Sequence, residues 1–147
     1  MTSFIPNMTL HDVNELSMLS LAHVGDAVYE IMARTYLCTE SSTRVTDLHR
    51  RTVAVVNAPA QAQAAARLLP SLTPEEAAVY KRGRNATSHT VPKNQSVSDY
   101  RVATGFEALM GWLYLNGNLE RIAELTGEDM RGLSKKRPSG EKNPEDI

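Results

Sequence analysis

At 147 residues the chain is sized for one domain with its own hydrophobic core, and no second catalytic domain is expected. Hydrophobic residues make up 41% and charged residues 22%, so an ordinary globular protein is expected; no apolar run is long enough to cross a bilayer, and no basic segment followed by an apolar run opens the chain. The single cysteine, Cys38, excludes an intrachain disulfide framework and a cysteine-based zinc site and fits a cytoplasmic protein, while a net charge of −1 excludes an indiscriminate polyanion binder.

Taken in chain order, the pattern predicts helices throughout and no alternating strand. Asp12 or Asn14 can cap a long helix from about Glu15 to about Leu37. "TESST" breaks it, and a second helix follows from Thr46 to about Val56. A third, rich in alanine, runs from Pro59 to Leu69. The clearest start signal is at residues 73–76, with Thr73 as cap, Pro74 in the first helical position, and Glu75 and Glu76 in the first turn, where the helix dipole favours acids. That helix ends in basic residues. Residues 86–95, "ATSHTVPKNQ", read as a loop, after which Ser96 or Ser98 caps a helix to about Leu115 that stops near "NGN". A short helix, Leu119 to Leu125, closes the domain, taken as 1–133. Residues 134–147, charged and containing Pro and Gly, read as a disordered tail. The fold class is all-α.

Within the first helix, "LAHVGDAVYE" places Asp26 directly after a glycine. At about 100° per residue, Val24, Ala27, Val28 and Ile31 share one face, while His23, Asp26 and Glu30 lie nearly opposite. Leu19, Ala22, Tyr29 and Ala33 flank the acids, so the helix is apolar over most of its circumference and Asp26 calls for a partner. A candidate lies in "DYRVATGFEALMGWLYLNG", where Glu107 stands at the edge of a stripe of Val102, Phe106, Leu109, Met110 and Leu113. Gly105 and Gly111 weaken that helix and make sense if another element approaches closely. Two carboxylates brought together repel, and a divalent cation such as magnesium or manganese relieves the repulsion. Spacing alone does not establish that the two helices meet.

The net charge hides a segregation. From Lys81 to Arg101 the chain carries Lys81, Arg82, Arg84, His89, Lys93 and Arg101 against one acid, Asp99. Arg44, His49, Arg50 and Arg51 form a second cluster, read as a wet helix face. His11 and His23 match no zinc pattern, and Trp112 and Tyr114 read as core or dimer contacts.

In this order, "LSLAHVGDAVYEIMAR", "KRGRNATSHTVPKN" and "DYRVATGFEALMGWLYL" resemble the compact Mini branch of the ribonuclease III family, over about Leu16 to Leu125. The resemblance implies a helical, homodimeric endonuclease domain that hydrolyses double-stranded RNA with magnesium, manganese being an alternative. It also implies maturation of the large-subunit (23S) ribosomal RNA precursor, leaving 5′-phosphate and 3′-hydroxyl ends, with a ribosomal protein as a candidate to present the substrate. By position, Asp26 matches the aspartate of the "GDA" signature and Glu107 the glutamate of "FEA", and both would be catalytic metal ligands. Longer family members add two further acids, where this chain has Ala22 and Thr104; the Mini branch departs in the same way. Glu30 and Thr104 are candidates to support the site from behind, with a plain salt bridge the alternative for Glu30. The double-stranded-RNA-binding domain of the longer enzymes is not expected here. Arg82, Arg84, Asn85, His89, Lys93 and Asn94 can supply contacts to phosphates and 2′-hydroxyls across the minor groove of A-form RNA; for Lys81 and Arg82, complementing a helix C-terminus is an equal alternative. The rival readings are a catalytically silent RNA-binding or ribosome-associated dimer and a purely structural helical protein.

Overall fold

In a computed structural model of the protein, residues 8–40, 44–86, 93 and 95–135 are described. They form seven α-helices: α1 (Leu10–Asn14), α2 (Met18–Glu40), α3 (Val45–Val56), α4 (Ala58–Leu68), α5 (Pro74–Asn85), α6 (Val97–Leu115) and α7 (Leu119–Lys135), with a 3₁₀ turn at Leu69–Ser71 and no strand among the described residues. The all-α expectation holds.

Local chemistry accounts for the boundaries. The Thr73 hydroxyl accepts from the Glu76 amide, and the Glu76 carboxylate accepts from the Thr73 amide, closing the expected capping box of α5. Ser96 caps α6 through the Asp99 amide, and Gly117, at φ 73°, takes the left-handed turn after it. Two boundaries differ from the sequence reading. A short helix that the sequence reading does not expect, α1, precedes the predicted first helix, because a capping box between Thr9 and Asp12 nucleates it, and the long helix starts at Met18 rather than Glu15, after the Ser17 hydroxyl accepts from the Ser20 amide at 3.0 Å. The last helix extends beyond Leu125 to Lys135, because Ile122, Leu125, Thr126 and Met130 continue one buried stripe through Gly127. Residues 136–147 of the expected tail lie outside the described residues.

Helix α6 is the central element and packs against α2, α4, α5 and α7. Phe106, Leu109, Met110 and Leu113 are fully buried with Leu21 and Leu37 of α2, and the Tyr29 and Phe106 rings meet edge-on at 4.9 Å. The expected inner face of α2 is corrected. Ala27 and Ile31 are exposed, and Leu21, Ala22, Gly25, Val28, Tyr29, Ala33 and Leu37 face the core. A helix apolar nearly all round has no strong preference for which side turns inward, so the close glycine contact described below decides it. Arg51 is also corrected: it is buried, and its guanidinium donates to the Leu133 carbonyl at 3.0 Å, tying α3 to the end of α7.

Candidate active site

Two glycines bring α2 and α6 into backbone contact. A β-carbon built on Gly25 would run into the Glu107 carbonyl, and one on Gly111 into the Leu21 carbonyl, with the Gly25 amide nitrogen 3.0 Å away. Only glycine at both positions permits that approach. Asp26 follows one of these glycines, and Glu107 supplies the carbonyl that meets it, so the crossing sets the two carboxylates beside each other. Asp26 is exposed and Glu107 half-buried. Burial, reinforced by the neighbouring Asp26 charge, pushes Glu107 up to about 8 from the ordinary carboxylate value of 4.5. Burial and then Glu30 also raise Asp26, with His23 opposing. The acid expected among apolar neighbours is thus at the rim of the crossing, and its partner is the more enclosed of the two.

The remaining candidates have defined surroundings. Glu30 accepts from Arg34 at 3.2 Å, an i,i+4 pair on α2. Thr104 is buried, and its hydroxyl donates to the Tyr100 carbonyl of its own helix at 2.9 Å. No group of three or more His, Cys, Asp or Glu able to hold a metal occurs among the described residues, so the candidate ligand set is the carboxylate pair.

The basic segment lies against the other side of α6. Gly83, between Arg82 and Arg84, packs onto Gly105 and Ala108, so the last turn of α5 stands beside the stretch of α6 that carries Glu107. Arg82 and Asn85 are exposed, and Arg84 stacks over the buried Tyr80 ring, 5.7 Å from its centroid. Lys93 is exposed. His89 and Asn94 lie outside the described residues. Elsewhere arginines meet carboxylates: Arg34 with Glu30, Arg50 with Asp47, Arg67 with Asp129, and Arg121 with Glu76 and Glu124. Arg82, Arg84 and Arg101 make no such pair among the described residues.

The chain matches the Ribonuclease III domain over residues 19–118, a span containing the carboxylate pair and the basic turn. It belongs to the ribonuclease III family. A Mini-ribonuclease 3 from Enterococcus faecalis is 50% identical over 118 residues, covering 79% of this chain and 89% of that protein. One from Streptococcus pneumoniae is 45% identical over 116 residues, covering 78% and 91%. A crystal structure of a protein from Fusobacterium nucleatum superposes with a TM-score of 0.75 at 30% identity, covering 82% of this chain and 97% of that one. This ribonuclease III chain is an endoribonuclease of the Mini-ribonuclease 3 type. The ribonuclease III family acts on double-stranded RNA and in general depends on a divalent metal. No helix among the described residues is long and apolar enough to cross a membrane.

Sequence reasoning singled out both acids of this candidate site and, in Gly111, one half of the contact that brings their helices together, but not the other half. Gly25 was legible only as the residue before Asp26; that it seats against α6 depends on a contact between segments about eighty residues apart. Arg101 belongs by sequence to the basic stretch and carries no motif that assigns it a role.

Proposed function

We propose that this protein is a magnesium-dependent, homodimeric endoribonuclease of the cytoplasm that cuts double-stranded RNA and matures the 23S ribosomal RNA precursor, leaving 5′-phosphate and 3′-hydroxyl ends. The observation that carries this reading is the carboxylate pair at the glycine crossing, where Glu107 is pushed up to about 8 beside Asp26. Such a pair holds like charges that a divalent cation neutralises, and its oxygen donors suit magnesium, which keeps several waters and needs few protein ligands. Asp26 and Glu107 would hold the ion, and manganese fits the same donors. Bound there, it supplies Lewis acidity toward the scissile phosphate and a water nucleophile active near neutral pH.

The chain's own residues do the rest. Glu107 gives up its proton to become a ligand, and the backbone contact at Gly25 and Gly111 fixes its separation from Asp26. Glu30, held by Arg34, and Thr104, held by Tyr100, support the pair from behind. Arg82, Arg84, Asn85 and Lys93, with His89 and Asn94 of the same segment, contact phosphates and 2′-hydroxyls and set the duplex over the acids. Dimerisation is supported by the outer face of α2, where Ala27 is exposed and Ile31 is 64% exposed on the helix that carries Asp26. The 23S assignment rests on likeness to the Mini-ribonuclease 3 proteins.

The test is incubation of the purified protein with a long RNA duplex and with a 23S precursor duplex, in magnesium or chelator, followed by end analysis. Magnesium-dependent cutting to 5′-phosphates is the expected result. Tight, salt-sensitive binding without cutting would replace this reading with a silent RNA-binding dimer.

A further inference from the structure

Where the C-terminal end of α5 meets the N-terminal end of α6, a shallow groove of about 370 Å³ is lined by Arg84, Asn85, Val97, Ser98, Arg101 and Val102. Its polar lining consists of two guanidinium groups, an amide and a hydroxyl. Among the described residues no carboxylate lines it; Asp99, the nearest acid in sequence, lies outside. Neither arginine makes an ion pair among the described residues, whereas Arg34, Arg50, Arg67 and Arg121 all do. Arg84 is held by the Tyr80 ring instead of by an anion, which orients its guanidinium while leaving the N–H donors available.

Concave, carboxylate-free and supplied with forked donors on both walls, the groove is matched to a phosphodiester oxygen pair. We infer that Arg84, Asn85, Ser98 and Arg101 form a second phosphate subsite, which grips the RNA backbone away from the acid pair, with Arg101 as its principal new member. The inference rests on the proposed function and adds a residue and a place to it. Along α6, Arg101 precedes Glu107 by about 9 Å of helix axis, at 1.5 Å per residue. A nucleic-acid duplex carries about five phosphates over that length, so one lying over the acids is long enough to reach the groove as well. The subsite positions RNA and takes no part in the chemical step.

The experiment is binding of a short labelled RNA duplex, in chelator to prevent cutting, across a salt series, for the wild type, Arg101→Gln, Arg101→Lys and Arg50→Gln. Arg50 is an ion-paired arginine on α3 and serves as a control for net charge. Each lost phosphate contact lowers the slope of log affinity against log salt by about one. Arg101→Gln is expected to lose about one unit of slope and to bind several-fold more weakly. Arg101→Lys should keep the slope, since it keeps the charge, and Arg50→Gln should match the wild type. Ser98→Asp, which sets a negative charge in the groove, should weaken binding at least as much as Arg101→Gln. Unchanged thermal melting would verify folding of the exposed-site variants. An Arg101→Gln slope equal to wild type, or an equal loss in Arg50→Gln, would overturn the subsite while leaving the proposed function standing. A wild type that binds no duplex would overturn both.

Discussion

Glu107 is the acid on which the proposed chemistry turns, and its raised proton affinity has consequences that can be measured without RNA. An acid at about 8 in the folded chain and near 4.5 when unfolded makes the folded state the better proton binder between those values. The contribution of Glu107 to the stability of the metal-free protein should therefore be greatest at and below the ordinary value and fall as pH rises toward 8. Glu107→Gln removes the effect. At pH 8 without metal it should melt higher than wild type by roughly 5 °C or more, with the gain vanishing near pH 4, as thermal scans would reveal. The same sign governs metal. Because Glu107, as the proposed ligand, must lose its proton to bind, affinity for manganese in a calorimetric titration should climb with pH up to about 8 and then level off. The carboxylates could be read from their sequence motifs, but the altered acidity could not, since it arises from the burial of one helix against another.

At the scale of elements, the site depends on two joints. Gly111→Ala forces a β-carbon into the Leu21 carbonyl, and backbone atoms cannot rotate away as a side-chain tip can. It should cost about 3 kcal/mol or more in urea unfolding and weaken manganese binding by separating Asp26 from Glu107. The second joint holds the base of α5, where Arg121 donates to both oxygens of buried Glu76 at 2.8 and 2.9 Å and to the Ser71 carbonyl at 2.7 Å. These bonds hold the Glu76 carboxyl below its ordinary value. Arg121→Met leaves a buried carboxylate unpaired and should destabilise by about 3 kcal/mol at neutral pH. The penalty should shrink as acid protonates Glu76, since the stability it contributes is present above the ordinary carboxylate value and is lost as pH falls through the lowered one. Helices α4 to α6 were legible because caps, prolines and a glycine mark their ends locally. The inward side of α2 and the length of α7 were not, because a nearly all-apolar helix and a helix carrying two glycines are resolved only by packing partners distant in sequence.

For the molecule as a whole, arginines paired with carboxylates and arginines without such a pair are separated along the fold. The paired ones occupy α2, α3, α4 and α7, while Arg82, Arg84 and Arg101 of the α5–α6 end make no ion pair among the described residues, as the proposed RNA contact requires. The outer face of α2 presents Ile31, so, where the proposed dimer forms through that face, Ile31→Asp is expected to shift it to monomer in sedimentation. It should also reduce duplex affinity, because two copies acting on one RNA lose their joint grip. The measurement that bears most directly on the carboxylate pair as the cutting centre is single-turnover cleavage of a saturating RNA duplex in magnesium by wild type, Asp26→Asn and Glu107→Gln, with duplex binding measured alongside. Both variants should bind RNA and fold as wild type does while cutting at least a thousandfold more slowly, about 4 kcal/mol of transition-state stabilisation. Cleavage by either variant at the wild-type rate would place the reaction elsewhere on the molecule.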